Sequence, residues 1–193
     1  MIIGITGGTG CGKTTLLRLM EQQGVLVLDC DAIYHQLLIT SPALLQAIEN
    51  RFPGTVENGQ LQRKKLGEIV FCDKTALLDL NKITHCAIHA EVLRQLEARP
   101  THAAIDAVAL FESGMDALCD TTVAVTAPAD VRVERLMKRD CICAAYAQKR
   151  IDAQPTEDWY RSKAAYILEN NGTELEFQAK CLAFLRELGI MKV

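Results

Sequence analysis

The chain has 193 residues, of which 49% are hydrophobic and 23% are charged, and its formal net charge is −3. This composition is ordinary for a globular protein with one core domain, so a low-complexity or disordered chain is excluded. The weakly acidic balance also disfavours a dedicated nucleic-acid binder, which usually carries net positive charge.

No stretch of the sequence resembles a signal peptide or a membrane span. The chain turns glycine-rich directly after Met1–Ile5, without a basic segment or cleavage site. No apolar run reaches the roughly 18 to 20 residues that cross a bilayer. We therefore expect a cytoplasmic protein without a membrane partner. Its eight cysteines are expected to be reduced thiols, because the closest pair, Cys141 and Cys143, lacks the spacing of a zinc knuckle.

The first elements in chain order are predicted to be a strand, a glycine-rich loop, a helix and a second strand. Ile2–Thr6 is a short apolar run, which is typical of a buried parallel strand. Thr14–Gln23 has apolar residues on one helical face, and Val25–Leu28 is again apolar. This order predicts a βαβ unit.

The middle of the chain is predicted to be mostly helical, and the last part alternates again. Four middle segments have helical spacing: Ala32–Ile39, Pro42–Phe52, Leu61–Phe71 and Thr75–Ala98. The later strands are predicted at His102–Asp106, Thr122–Thr126 and Tyr166–Leu168. The later helices are predicted at Ala129–Asp140, from Thr156 onwards, and at Leu175–Leu188. The alternation predicts an α/β fold with a doubly wound parallel sheet, and the helical block predicts an inserted substrate-binding region.

The segment Gly7–Thr14 matches the phosphate-binding pattern G-x-x-x-x-G-K-[ST]. Glycines let successive backbone N–H groups point at phosphate oxygens, and the following helix presents its positive end to the same anion. Lys13 can reach the β- and γ-phosphates, and the Thr14 hydroxyl can bind Mg²⁺. Because the motif follows a strand and opens a helix, we predict an ATP-binding P-loop.

A GTPase would also carry a guanine-reading N-K-x-D motif. The nearest match is Asn81-Lys82-Ile83-Thr84, which lacks the aspartate and is predicted to lie inside a helix. The sequence therefore favours a kinase over a GTPase.

Asp29 and Asp31 follow one predicted strand and Asp106 ends another, at the edge of an open α/β sheet where ligands bind. A carboxylate of Asp29 or Asp31 could accept a proton from an acceptor hydroxyl. Asp31 could instead bind Mg²⁺ or cap the helix predicted at Ala32. Asp106 could hold Mg²⁺ through water or be a turn residue at a strand end.

A group of basic residues follows the strand at Thr122–Thr126. Arg132, Arg135 and Arg139 have spacings of three and four, which place them on one helical face. Such a face could be a solvated surface or the lid that surrounds a migrating phosphoryl group with positive charge.

Several motifs in order resemble the dephospho-coenzyme A kinase family. The P-loop matches T-G-G-x-G-x-G-K-[ST] over Thr6–Thr14, and Asp29-Cys30-Asp31 matches D-x-D. Further matches are L-x-x-x-V-F at 66–71, L-N-x-I-x-H at 80–85, D-x-P-L-L-F-E at 106–112, R-L-x-x-R at 135–139, R-I-x-x-Q at 150–154 and N-x-G at 170–172. The P-loop is common to many proteins, but this combination is specific, and it extends to about residue 185.

The resemblance implies that ATP phosphorylates the ribose 3′-hydroxyl of dephospho-coenzyme A, the last step of coenzyme A synthesis, with Mg²⁺ accompanying ATP. It implies catalytic roles for Asp31 as general base, Lys13 and Arg139, with Thr14 as the metal ligand. The ATP-binding residues that it implies are Gly8, Thr9, Gly10, Cys11, Gly12, Lys13, Thr14, Thr15, Arg135, Arg139, Asn170 and Gly172. The acceptor-binding residues that it implies are Asp31, His85 and Asp106, although a lone helical histidine is as often a packing residue.

The resemblance also implies a nucleoside-kinase-like P-loop domain in three parts. The core is expected over residues 1–31, 100–128 and 164–193, a helical acceptor-binding region over about 32–99, and a lid over about 129–160. A monomer or small homo-oligomer without a nucleic-acid partner is expected.

The sequence departs from the family pattern mainly on the acceptor side. Cys86 stands where the family has proline, Val108 and Ala109 replace Pro-Leu, and Ala165 replaces an aspartate. Two alternatives therefore remain from the residues: a P-loop kinase of another small metabolite, such as a nucleoside or nucleotide, and a non-catalytic nucleotide-binding switch protein.

Overall fold

The computed structural model describes residues 1–98 and 101–191, and their contacts divide the chain into two units. One unit comprises residues 1–28 together with the described residues from 101 onwards, and the other comprises Asp29–Ala98. Residues 99, 100, 192 and 193 lie outside the described residues. They include the predicted end of the acceptor-binding region at 99, the predicted start of the second core segment at 100 and the predicted end of the third core segment at 193. The roles assigned to these parts of the chain stay predictions.

Seven strands and nine helices lie within the described residues. The strands are β1 (Ile2–Thr6), β2 (Leu26–Asp29), β3 (Val56–Glu57), β4 (Gln60–Leu61), β5 (Ala103–Asp106), β6 (Thr121–Thr126) and β7 (Tyr166–Glu169). The helices are α1 (Lys13–Gln22), α2 (Cys30–Thr40), α3 (Pro42–Arg51), α4 (Arg63–Val70), α5 (Lys74–Glu97), α6 (Ala129–Asp140), α7 (Ala144–Asp152), α8 (Glu157–Lys163) and α9 (Glu174–Glu187). A short 3₁₀ helix spans Met115–Leu118.

The central parallel sheet has the strand order β2-β5-β1-β6-β7. Strand β1 pairs in parallel with β5 on one side and with β6 on the other, with Ile5 opposite both Asp106 and Val123. The apolar strand residues Ile3, Ile105 and Val125 have no exposed surface. The predicted α/β fold with a parallel sheet is confirmed, and the P-loop therefore follows the middle strand.

Helices α1 and α9 pack together and cover one cluster of sheet residues. Leu16 and Met20 of α1 and Phe184 of α9 are buried in this cluster. Helix α9 begins with a capping box, in which the side chains of Thr173 and Glu176 satisfy each other's backbone N–H groups. Burial of this apolar face holds α1, and with it the phosphate loop, against the sheet.

The second unit is built around the long helix α5, which contacts α2, α3 and α4. Its core contains Leu38, Ile48, Phe52 and Leu66. Strands β3 and β4 form a hairpin whose turn residues, Asn58 and Gly59, both have positive φ (51° and 72°). Asparagine and glycine tolerate this left-handed backbone, which suits a tight hairpin turn.

The structure differs from the sequence-based predictions at several places. The helix predicted from Leu61 begins at Arg63, since Leu61 belongs to β4, and two-residue strands are too short to show alternation. Helix α7 was not predicted, because only Ala147 and Ile151 of its residues are buried. Helix α2 begins at Cys30, and Asp29 is its cap, so the interpretation of Asp31 as a cap is wrong.

None of the helices within residues 1–98 and 101–191 has the length and hydropathy needed to cross a lipid bilayer.

Candidate active site

The phosphate loop curls tightly between β1 and α1. Gly7, Gly10 and Gly12 have φ values of 133°, 79° and 99°, which only glycine adopts readily. A Cβ atom on Gly7 would lie 2.2 Å from the Val125 carbonyl oxygen, and one on Gly12 would lie 2.3 Å from the Asn170 side-chain nitrogen. Glycine is thus required at these positions for two reasons: the backbone has positive φ, and neighbouring atoms leave no space for a Cβ atom at Gly7 or Gly12.

The first turn of α1 presents its N–H groups at this loop. Its N-cap is Gly12, which has no side chain to satisfy them, and Thr15 N–H bonds to the Gly12 carbonyl at 3.1 Å. The remaining N–H groups and the positive end of the helix form an anion site. Lys13 Nζ donates to the Gly7 carbonyl at 2.8 Å, so its ammonium lies across the loop, and Thr14 is exposed. This arrangement can hold the phosphates of a nucleotide.

Both backbone groups of Thr9, its N–H and its carbonyl, form hydrogen bonds with side chains that are distant in the sequence. Its N–H donates to Gln154 Oε1 at 2.8 Å, and its carbonyl accepts from Arg132 Nε at 2.9 Å. Arg132 also donates to Gln154 Oε1 at 2.9 Å, and Arg132 is only 9% exposed. A Cβ on Gly8 would lie 2.3 Å from the Arg132 guanidinium. We call Thr9, Arg132 and Gln154 the Thr9 clamp.

A second set of bonds fixes the next part of the loop. Asn170, which is 5% exposed, donates from its amide to the Cys11 carbonyl at 2.9 Å. Its amide oxygen accepts from Arg135 at 3.1 Å, and Arg135 also donates to the Gly10 carbonyl at 3.3 Å. The predicted ATP-binding residues Gly10, Cys11, Arg135 and Asn170 are therefore brought together around the loop.

Arg139 lies at the end of α6 and is bound by a carboxylate. Its guanidinium makes two bonds to Asp140, at 2.7 and 2.9 Å, and Arg150 donates to the same carboxylate at 2.6 Å. These bonds lower the pKa of Asp140 to about 2, chiefly through the Arg139 bond, so the carboxylate stays ionised at neutral pH. Arg139 is half-exposed, and its two bonds to Asp140 use Nε and Nη2.

Cys11 occupies the loop position between two glycines and is buried, with 2% of its surface exposed. Burial raises the pKa of its thiol, although the charges of Arg132 and Lys13 partly oppose that rise. A buried neutral thiol here packs against the core, and the loop acts through its backbone.

The two carboxylates at the junction of β2 and α2, Asp29 and Asp31, have different roles in the fold. Asp29 Oδ1 accepts from the backbone N–H groups of Asp31 and Ala32, at 2.9 and 3.0 Å, and so caps α2. Asp31 lies in the first turn of α2, is exposed, and does not supply the helix cap. Its carboxylate is therefore available for chemistry.

The other predicted acceptor residues lie on different elements. His85 is half-buried within α5, in the same unit as Asp31. Asp106 ends β5 beside β1, and the adjacent Thr6 hydroxyl donates to the Val108 carbonyl at 3.0 Å. Asp106 thus lies at the same sheet edge as the phosphate loop.

Within residues 1–98 and 101–191 there is no group of three or more histidine, cysteine, aspartate or glutamate side chains that could hold a metal ion. Mg²⁺ in phosphoryl-transfer sites is usually held by one or two protein oxygens together with substrate phosphates. The exposed Thr14 hydroxyl beside the loop fits that mode.

Arg132 and Gln154 are loop-binding residues that sequence reasoning did not assign. Arg132 was placed on the basic face of α6, and Gln154 ended a family motif, but neither pattern indicates a partner at Thr9. Thr9 is 123 residues from Arg132 and 145 residues from Gln154 in the sequence. Local periodicity relates only residues within one helix or strand, so it cannot predict these contacts.

Comparison with known proteins gives consistent matches over almost the whole chain. The dephospho-CoA kinase family model matches residues 1–176. A dephospho-CoA kinase of Moorella thermoacetica is 36% identical over 97% of this chain and 92% of its own, and that of Lactobacillus johnsonii is 32% identical over 97% and 98%.

Solved structures agree with these relatives. The TT1252 protein of Thermus thermophilus has a TM-score of 0.83 at 32% identity, over 97% of both chains. Dephospho-CoA kinase from Campylobacter jejuni has a TM-score of 0.69 at 26% identity, over 97% of this chain and 96% of its own. Shikimate kinase from Bacteroides thetaiotaomicron, at 16% identity, a TM-score of 0.56 and 98% coverage of both chains, shares the fold.

Proposed function

Because the chain belongs to the dephospho-CoA kinase family, we propose that its phosphate loop, carboxylates and arginines transfer the γ-phosphate of ATP to the ribose 3′-hydroxyl of dephospho-CoA. The protein is an ATP-dependent kinase of coenzyme A biosynthesis. The observation that carries the residue assignments is the loop geometry, in which Lys13 crosses the loop and two sets of long-range hydrogen bonds hold its backbone.

The donor side consists of the phosphate loop and the first turn of α1. The backbone N–H groups of Gly10, Gly12, Lys13 and Thr14 bind the β- and γ-phosphate oxygens, and the Lys13 ammonium moves from the Gly7 carbonyl to these oxygens. The N–H groups of Cys11 and Thr15 already bond to the carbonyls of Gly8 and Gly12 and shape the loop. The Thr9 N–H belongs instead to the clamp, so Thr9 contributes by fixing the loop. We propose that Asn170 and Gly172, which follow β7, lie near the adenine.

The family implies a divalent metal, and we propose Mg²⁺ held by the Thr14 hydroxyl together with the phosphates. When bound, the ion would neutralise negative charge on the phosphates that react. Asp106, at the same edge of the sheet, is proposed to contact the acceptor or a metal-bound water.

Asp31 is proposed as the general base. Its carboxylate takes the proton of the 3′-hydroxyl while the 3′-oxygen forms a bond to the γ-phosphorus and the bond to the β–γ bridging oxygen breaks, leaving ADP. Support comes from its exposed carboxylate in the first turn of α2 and from Asp29, which already supplies the cap. His85 is proposed to contact the acceptor from α5.

The lid is proposed to span about residues 129–160, which include α6 and α7. Arg135 reaches the loop through Gly10, and Arg139 is one helical turn further along. Exchange of Asp140 for the γ-phosphate would bring the Arg139 guanidinium onto the charge that develops during transfer.

A substrate panel tests the assignment of the acceptor. Purified protein is supplied with ATP, Mg²⁺ and either dephospho-CoA, a nucleoside, a nucleotide or another hydroxyl metabolite, and products are identified by mass spectrometry. Coenzyme A formation supports the proposal, whereas turnover of a different acceptor alone contradicts it.

We also propose a cytoplasmic protein that forms a monomer or small homo-oligomer. None of the eight cysteines, all of which lie in the described part of the chain, forms a disulfide bond, which suits a reducing compartment. Light scattering coupled to size-exclusion chromatography measures the oligomeric state.

A further inference from the structure

A groove in the unit Asp29–Ala98 has features that the proposed reaction does not yet use. It has a volume of about 340 Å³ and is lined by Leu38, Ile39, Asn58, Gly59, Gln60, Leu61 and Arg63. The groove therefore combines one guanidinium with apolar side chains and the backbone of the β3–β4 turn.

Arg63 differs from the other arginines in this unit. Arg51 pairs with Asp79, and Arg94 pairs with Glu91. Arg63 is exposed and forms no ion pair with any residue in the described part of the chain. An arginine without a carboxylate partner that lines a groove is suited to bind an anion through its planar fork of N–H donors.

The groove is continuous with the helix that carries the proposed base. Leu38 lines the groove and lies two turns after Asp31 on the same face of α2. Seven residues of helix span about 10 Å along the axis. Between them, Tyr34 lies close enough to Arg63 that the guanidinium charge opposes the rise in its pKa that burial causes.

The chemistry of the acceptor matches this spacing. In dephospho-CoA, only C3′, C4′, C5′ and one ester oxygen separate the reacting 3′-oxygen from a diphosphate. The diphosphate continues into an arm that begins with a geminal dimethyl group. An acceptor whose hydroxyl is at Asp31 would carry its two negative charges along α2 towards the groove.

We propose that Arg63 binds the diphosphate of dephospho-CoA and that Ile39 and Leu61 contact the first apolar part of its arm. This inference rests on the proposed function, because it takes Asp31 as the position of the reacting hydroxyl. Ile39 is 85% exposed, and a bound arm would cover an apolar side chain that otherwise faces water.

The test compares Arg63→Ala and Arg63→Lys with Lys64→Ala, a control that removes the neighbouring exposed cation, which does not line the groove. Kinetics are measured with dephospho-CoA and ATP varied separately, and dephospho-CoA binding is measured by calorimetry. Loss of a charge-assisted bond predicts that Arg63→Ala raises KM and Kd for dephospho-CoA about 10- to 100-fold. KM for ATP should change less than about twofold, with Arg63→Lys intermediate and Lys64→Ala near wild type.

The inference is overturned if Arg63→Ala leaves the dephospho-CoA constants unchanged, or if Lys64→Ala weakens binding equally, which would indicate a general effect of positive charge. Failure of the proposed function gives a different result, since the wild type would then not phosphorylate dephospho-CoA at all. Circular dichroism checks folding, and Arg63→Gln, which keeps the side-chain stem, replaces the alanine variant if that variant unfolds.

Discussion

The guanidinium of Arg132 and the backbone of Thr9, 123 residues apart in the chain, are joined by a 2.9 Å hydrogen bond from Nε to the carbonyl oxygen. Gln154 accepts from both residues through one oxygen atom. Two residues of the segment proposed as the lid, Arg132 and Gln154, therefore hydrogen-bond to the backbone of the phosphate loop. The conformation of the loop thus depends on residues outside the P-loop motif.

Removing the Gln154 side chain should weaken ATP binding. Gln154→Ala leaves the Thr9 N–H and one Arg132 donor without their acceptor. Both bonds are part-buried, so the cost should lie towards the lower end of the roughly 1 to 3 kcal/mol that fully buried groups show. We expect KM for ATP to rise about tenfold while KM for dephospho-CoA changes little. The control is Gln148→Ala, which removes an exposed glutamine bonded to Asp152 within α7. Equal effects of the two variants would show that the clamp does not position the loop.

Asp31→Asn should separate chemistry from nucleotide binding. The amide cannot take the proton of the acceptor hydroxyl, and loss of a general base typically lowers kcat about 10²- to 10⁴-fold. KM for ATP should stay near the wild-type value, because the phosphate loop is unchanged.

Asp29→Asn is the matched control for that variant. Asparagine also caps helices well, so α2 should remain intact and kcat should stay near wild type. A kcat for Asp31→Asn close to wild type, or an equal loss in Asp29→Asn, would remove Asp31 as the base.

Asn170→Ala should destabilise the protein as well as weaken ATP binding. Its buried amide bonds to the Cys11 carbonyl and to Arg135, and alanine leaves both groups without this partner. The free energy of unfolding should fall by about 1 to 3 kcal/mol, as measured by urea denaturation. The neighbouring Asn171 is exposed, and Asn171→Ala should change the free energy by less than about 0.5 kcal/mol. Similar losses in both variants would contradict the structural role of Asn170.

The thiols should differ sharply in reactivity with an alkylating reagent. Burial raises the pKa of Cys11, and raises those of Cys119 and Cys181 to about 12, so little thiolate is present near neutral pH. Mass spectrometry of the folded protein should find modification first at the exposed positions Cys72, Cys86, Cys141 and Cys143. Rapid modification of Cys11 would contradict its burial, and Cys11→Ser should retain ATP turnover because the loop binds through its backbone.

The sequence predicted the elements whose signals are local. Helix α6 was predicted over its observed range, Ala129–Asp140, and the P-loop motif located the turn between β1 and α1. Boundary errors arose where a side chain decides the end of an element, as when Asp29 caps α2 two residues earlier than expected. The hairpin at β3 and β4 was missed because its strands have two residues each.

The contacts that shape the site were beyond sequence reasoning. Arg132 shares one face of α6 with Arg135 and Arg139, and periodicity treats the three alike. The structure separates them: Arg132 holds Thr9, Arg135 bonds to Gly10 and Asn170, and Arg139 pairs with Asp140. Only the fold of the intervening chain determines which of these partners each arginine meets.

The most direct test of the central claim is the product formed from dephospho-CoA and labelled ATP in the presence of Mg²⁺. Purified protein should place one labelled phosphate on the ribose 3′-oxygen and release ADP, with coenzyme A identified by mass spectrometry and the position assigned by phosphorus NMR. Hydrolysis of ATP without labelled coenzyme A, or phosphate on a different oxygen, would contradict the claim.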